Sequence, residues 1–155
     1  MIFLLDTNVL SETTRKHPEP KVIAWLSKVP RQDMRISSMV LAEVQQGVEL
    51  NPTRPLKEFL SNIMLGFLIA PFDEPEALAW GRLTAAMVST GQKIDFRDSI
   101  IAATAHAHNW TVATRNVTHF APLGVAVFDP WDGPSRAVRQ RRPDPGQGTS
   151  RLGKG

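Results

Sequence analysis

A chain of 155 residues with 42% hydrophobic content is long enough to bury one ordinary core without covalent staples, so one folded domain is expected. It has no cysteine, which excludes disulfides and thiolate metal sites; any metal must be held by oxygen or imidazole, and that favours magnesium or manganese chemistry. The net charge of +3 is unevenly spread, because residues 134–155 hold Arg136, Arg139, Arg141, Arg142, Arg151 and Lys154 against the single acid Asp144, leaving residues 1–133 mildly acidic.

That asymmetry sets the expected organisation. Residues 1–133 are predicted to fold, and residues 134–155 form a basic Gly/Pro/Arg-rich tail with too few large apolar groups to offset the entropy of ordering. A solvated extension is the weightier reading of this tail, a non-specific nucleic-acid arm the lesser one. No apolar run approaches the roughly 20 residues of a membrane helix, and Asp6 cuts short the N-terminal run, so a soluble cytoplasmic protein is expected.

In chain order, Ile2 to Leu5 is a short run of bulky apolar residues that suits a strand covered on both faces. Asp6 follows at its carboxyl end, the place where open α/β sheets hold ligands, and it reads equally well as a helix cap. Asn8 and Ser11 offer further caps for a first helix, expected to finish between Thr13 and His17 because Pro18 and Pro20 interrupt it. Val22, Ile23, Trp25, Leu26 and Val29 make the apolar stripe of a core-facing helix, with Trp25 as packing.

Met34 to Ser37 reads as a second strand, with Ser37 or Ser38 capping a helix in which Val40, Leu41, Val44 and Val48 alternate with polar residues. Glu43 lies within about two turns of that strand end and can point toward the same edge as Asp6. Glu49 reads as surface. Pro52 and Pro55 mark a break before a helix carrying Leu56, Phe59, Leu60, Ile63, Met64 and Phe67. Leu68 to Phe72 is a third strand, and Asp73, Glu74 and Glu76 are accounted for as cap and dipole charges of a helix that Gly91 ends.

Asp95 is an N-cap three positions before Asp98, which puts Asp98 in the first turn of a helix whose Ile100, Ile101, Ala102 and Ala103 allow close approach to the sheet. His106 and His108 are two residues apart, face different sides and read as structural or surface groups. Thr111 to Thr114 is a further strand, Arg115 to Phe120 a polar loop, and Gly124 to Phe128 a last strand closed by Asp129, Pro130 and Trp131.

Leu5-Asp6-Thr7-Asn8, Leu41-Ala42-Glu43-Val44 after the Ser37 strand, Asp98-Ser99-Ile100-Ile101-Ala102-Ala103-Thr104-Ala105, and Thr114-Arg115-Asn116 with Asp129-Pro130-Trp131 together resemble a PIN domain. Within that family the VapC and FitB-type toxins of bacterial toxin–antitoxin modules are the most similar group, and the likeness spans residues 1–131. It implies a three-layer α/β/α fold around a short parallel sheet, with acids at its carboxyl edge binding Mg²⁺ or Mn²⁺ for RNA cleavage. Asp6, Glu43 and Asp98 match the catalytic, metal-holding positions; Thr7, Asn8, Ser37, Thr114 and Asn116 match supporting ones.

One departure stands out: where the family offers a further acid after the Thr114 strand, this chain has Asn116 and His119. One intact metal site and a weak second one are therefore expected, since Asn116 brings no charge. His119 is weighed as a plain loop residue ahead of a phosphate contact or proton shuttle. Arg97 and Arg115 are candidate phosphate contacts. The resemblance also implies a cognate antitoxin, often covering the crevice with an arginine, and a homodimer that joins it in a heterotetramer or larger assembly. Two alternatives stay open: a catalytically weak PIN-like scaffold binding RNA or a partner, and a phosphotransferase with Asp6 as nucleophile, which Asn8 disfavours because a second acid belongs there.

Overall fold

The structure, a computed structural model, describes residues 1–132, so the basic tail expected from Pro134 onward lies outside the described residues. Five strands alternate with helices: β1 Phe3–Leu5, α1 Thr7–Glu12, α2 Pro20–Lys28, β2 Met34–Ser37, α3 Ser38–Leu50, α4 Arg54–Gly66, β3 Leu68–Ala70, α5 Glu74–Ser89, α6 Phe96–His108, β4 Thr111–Ala113, α7 Val117–Phe120 and β5 Ala126–Phe128. Short 3₁₀ turns at Arg31–Asp33 and Ala121–Leu123 complete the path.

All pairings are parallel, in the order β3-β2-β1-β4-β5. Consecutive strands step outward in one direction from β1 and then return to its other side, so the order reverses at β1. In such sheets the crevice over the strand ends opens at that point, and Asp6 is the first residue beyond β1. The architecture is the expected three-layer α/β/α arrangement. Leu4 and Leu5 of the central strand are fully buried, while Leu68 on the β3 edge is 63% exposed.

The helices follow their apolar periodicity. Ala102, Ala103 and Ala105 are completely buried, so α6 runs close against the sheet through small side chains and packs along α5. Asn109 closes α6 in the left-handed region at φ 55°, which an asparagine adopts more readily than most residues. Trp25 packs between Phe3 and Phe128, with ring centroids 5.1 and 5.2 Å away, as a core residue should.

Four local expectations are corrected. The first helix starts at Thr7 with Asp6 itself as N-cap, so Asn8 lies inside the first turn and caps nothing. It also ends at Glu12, not between Thr13 and His17, because the Thr13 and Thr14 hydroxyls fold back onto the carbonyls of Leu10 and Ser11. Strands β1, β3, β4 and β5 are shorter by a residue or two than expected, while β2 spans Met34–Ser37 as expected. The polar stretch after Thr114 forms α7, whose last residue Phe120 is fully buried and anchors it.

Candidate active site

Asp6 is 6% exposed, and its cap geometry divides its two oxygens. Oδ1 accepts from the Thr7 amide at 2.7 Å; Oδ2 accepts from Asn8 Nδ2 at 2.8 Å and from Thr114 Oγ1 at 2.7 Å. Cap and strand-end carboxylate are thus the same group. Thr114 Oγ1 in turn accepts from Asn8 Nδ2 at 3.1 Å and from the Asn116 amide at 3.0 Å. The ends of β1 and β4 are locked together by these bonds, and Asn8 Oδ1 accepts from the Arg115 amide at 3.4 Å.

Glu43 reaches the same edge from α3. Its Oε2 accepts from Thr7 Oγ1 at 2.7 Å, and its Oε1 pairs with Arg97 at 3.3 Å. The direction of α3 is fixed by Ser37, whose fully buried hydroxyl accepts from the Val40 amide at 3.2 Å. Ser37 therefore acts as the N-cap and is not in hydrogen-bond contact with the three acids. Asp98 enters from the first turn of α6, positioned by Asp95, whose Oδ1 accepts from the amides of Arg97 and Asp98. Asp98 Oδ2 meets His119 Nδ1 at 2.8 Å.

The structure thus gathers Asp6, Thr7, Asn8, Glu43, Asp98 and Thr114, from three helices, the β1–α1 junction and the loop after β4, at one edge of the sheet. Asn116 joins through its backbone, and Arg97 through Glu43. Arg115 lies over Trp131, its guanidinium 5.6 Å from the ring centroid, and pairs with none of the three acids. Burial raises the Asp6 pKa above its ordinary value, the hydrogen bonds from Thr114 and Thr7 oppose that, and the negative charges of Asp98 and then Glu43 push it up further. The edge is short of positive charge.

The donor set is all oxygen, the chemistry a hard divalent cation prefers. As placed, no three acidic or histidine side chains among the described residues are grouped to hold one ion. Two of the acids face partners that such an ion would replace: Arg97 on Glu43 and His119 on Asp98. The donor chemistry suits a divalent ion, while the acids as placed are not drawn together around one. Sequence reasoning weighed His119 as a loop residue and missed its contact, because the contact depends on α7, too short to show periodicity. It also passed over Glu12, which is 1% exposed and accepts from the Glu19 amide at 2.8 Å, tying α1 to α2. Arg15 lies 3.0 Å from the other Glu12 oxygen without hydrogen-bond alignment.

Fold and crevice together define a three-layer α/β/α protein that presents carboxylates from separate elements over the ends of parallel strands. The sequence matches the PIN domain over residues 3–121, and the chain belongs to that family. It is 39% identical over 137 residues to Toxin FitB of Neisseria gonorrhoeae, covering 84% of this chain and 99% of that protein. It is 30% identical over 138 residues to VapC ribonuclease Y4jK of Sinorhizobium fredii, again covering 84% and 99%. The crystal structure of FitAcB from Neisseria gonorrhoeae superimposes with a TM-score of 0.76 at 39% identity, over 84% of this chain and 99% of the other.

Proposed function

We propose that this chain is the ribonuclease toxin of a toxin–antitoxin module, hydrolysing RNA phosphodiester bonds at the Asp6, Glu43 and Asp98 edge with Mg²⁺ or Mn²⁺. The observation that carries the reading is Asp6: a buried carboxylate, oriented by three donors and pressed upward in pKa by two further acids. Like charges brought together at a strand edge are costly unless a cation compensates. The similarity to Toxin FitB and to VapC ribonuclease Y4jK supports the same activity.

Asp6, Glu43 and Asp98 would hold the ion. When bound, a divalent ion supplies Lewis-acid activation of the phosphoryl oxygen and an activated water. The chain's own residues do the rest. Thr114 and Asn8 hold Asp6 in one rotamer, and Thr7 holds Glu43 through its hydroxyl. Arg97, which pairs with Glu43 at 3.3 Å, would take a phosphate oxygen once released from it.

The reading extends to a cytoplasmic protein that pairs with a second copy and with an antitoxin whose basic side chain stands in for the cation. No helix among the described residues is long and apolar enough to cross a membrane. The test is incubation of the purified protein with a mixed RNA pool and Mg²⁺ or Mn²⁺, with Asp6→Asn beside it. Cleavage that needs the ion and disappears in Asp6→Asn is expected; RNA retained without cleavage by the wild type would replace the nuclease with a binding scaffold.

A further inference from the structure

The chain leaves its sheet at the acid edge. β5 runs parallel to β4, and where it ends the Phe128 carbonyl accepts from the Thr114 amide at 3.0 Å. Thr114 Oγ1 donates to Asp6 at 2.7 Å, so two hydrogen bonds through one residue link the exit to Asp6. Asp129 then turns the backbone by accepting from the Trp131 amide at 2.8 Å, and Trp131, partly buried, packs against the core. The end of the described fold is therefore pinned beside the edge, and the residues that follow start there.

Those residues carry the charge that the fold lacks. Residues 1–132 hold two more acids than bases, whereas Arg136, Arg139, Arg141, Arg142, Arg151 and Lys154 follow with one acid, Asp144. Chain length alone keeps the α-carbon of Arg136 within about 14 Å of that of Asp132, and that of Arg142 within about 36 Å. Inside the fold the arginines that flank the edge are engaged, Arg97 with Glu43 and Arg115 over Trp131. Each of the three acids is engaged too: Asp6 by three donors, Glu43 by Thr7 and Arg97, Asp98 by His119. An arginine of the tail meets no unpartnered carboxylate group among them. A polynucleotide offers it one phosphate charge per nucleotide, in a shape that a guanidinium grips with two bonds.

We infer that residues 136–142 bind the backbone of the RNA strand whose scissile phosphate lies on the acid edge, and supply the affinity that an acidic fold does not. The inference rests on the ribonuclease reading of that edge and names where its substrate is held. Phosphate contacts carry no base information, so these arginines add affinity and not sequence choice.

The experiment uses the full chain carrying Asp6→Asn, so that bound RNA survives, and a labelled single-stranded RNA whose anisotropy is followed across a salt series. Adding Arg136→Gln, Arg139→Gln, Arg141→Gln and Arg142→Gln together leaves every residue of the fold as it is. These changes should weaken binding at low salt and lower the slope of log affinity against log salt by about three, at roughly 0.7 for each phosphate contact on a single strand. With Asp6 intact, the same four changes should raise KM for that RNA and leave kcat unchanged, as loss of binding shared by substrate and transition state does. An unchanged slope overturns the assignment and makes the tail a solvated extension. Tighter binding also overturns it, and puts the tail on the acid edge in competition with RNA. The two readings fail separately. Wild-type protein that cleaves RNA while the four changes leave the slope alone keeps the nuclease and removes the tail contact. Wild-type protein that cleaves nothing while the slope falls as described keeps the tail contact and removes the nuclease.

Discussion

Thr114 serves three partners with one oxygen: it donates to Asp6 and accepts from the Asn8 side chain and the Asn116 amide. It is fully buried and Asp6 nearly so, while Asn8 is half-buried and Asn116 exposed, so the Asp6 bond is the one with no water to replace it. In Thr114→Val the shape is kept but Asn8 and Asn116 lose their acceptor and Asp6 loses a donor. A stability loss of about 1–3 kcal/mol follows from leaving buried polar groups unpaired, read from urea unfolding. Cleavage should fall about 10- to 100-fold, as it does when a partner that orients a metal-holding carboxylate is removed. Thr114→Ser retains the hydroxyl and should retain most of both. If Val and Ser behave alike, the oxygen is not what orients Asp6. Arg97 gives the contrasting case at the same edge, since its pair with Glu43 is half exposed and contributes little to stability whatever it does for RNA.

Helices α5 and α6 are clamped by a carboxylate–imidazole pair. Glu76 is 2% exposed; its Oε2 accepts from the Asp73 amide at 2.9 Å, and its Oε1 meets His108, whose ring stacks on Trp110 with centroids 4.3 Å apart. Burial acts to raise the Glu76 pKa, but the amides of Asp73 and of Glu76 itself, together with His108, outweigh it and hold the carboxyl below its ordinary 4.5. A folded-state pKa below the unfolded one contributes stability that is present above the unfolded value and is lost as pH falls through the folded value. Asp6 acts with the opposite sign: its raised pKa gives a contribution that is complete below its ordinary 3.8 and is lost as pH rises through the folded value. Urea midpoints across the acid range should therefore fall less steeply for Glu76→Gln than for the wild type, and parallel curves would show that the clamp carries no linkage. The cap half of this device is legible in the sequence, because Asp73 and Glu76 sit at the spacing of an N-terminus. The clamp half is not, because only the packing of α5 on α6 brings Glu76 to His108, which reads as a surface residue on its own helix. The site divides in the same way. Asp6 and Asp98 can be placed from local cap chemistry, and Glu43 from the start of α3; the partners Arg97 and His119 depend on how α6 and α7 meet the edge.

At the scale of the whole molecule, the sheet order sets the electrostatic problem. Because the strand sequence reverses at β1, the loop after β1 and helices α3 and α6 deliver acids to one place, and folding must bring like charges together. The unfolded chain keeps those acids apart, so a divalent ion has little to bind there and a cation that binds the folded edge stabilises the fold by mass action. At a hundred times its dissociation constant the gain is about 2.7 kcal/mol, or roughly 5–10 °C in melting temperature for a domain of this size. Thermal unfolding with Mn²⁺ should show that rise in the wild type, and little of it in Asp98→Asn, with sodium chloride at matched ionic strength as the control. Arg97→Ala should reach the same shift at lower Mn²⁺, because Glu43 no longer has an arginine to exchange for the ion. Equal shifts in wild type and Asp98→Asn would mean that the ion binds elsewhere, and the acid edge would then need a cationic partner of another kind to balance it.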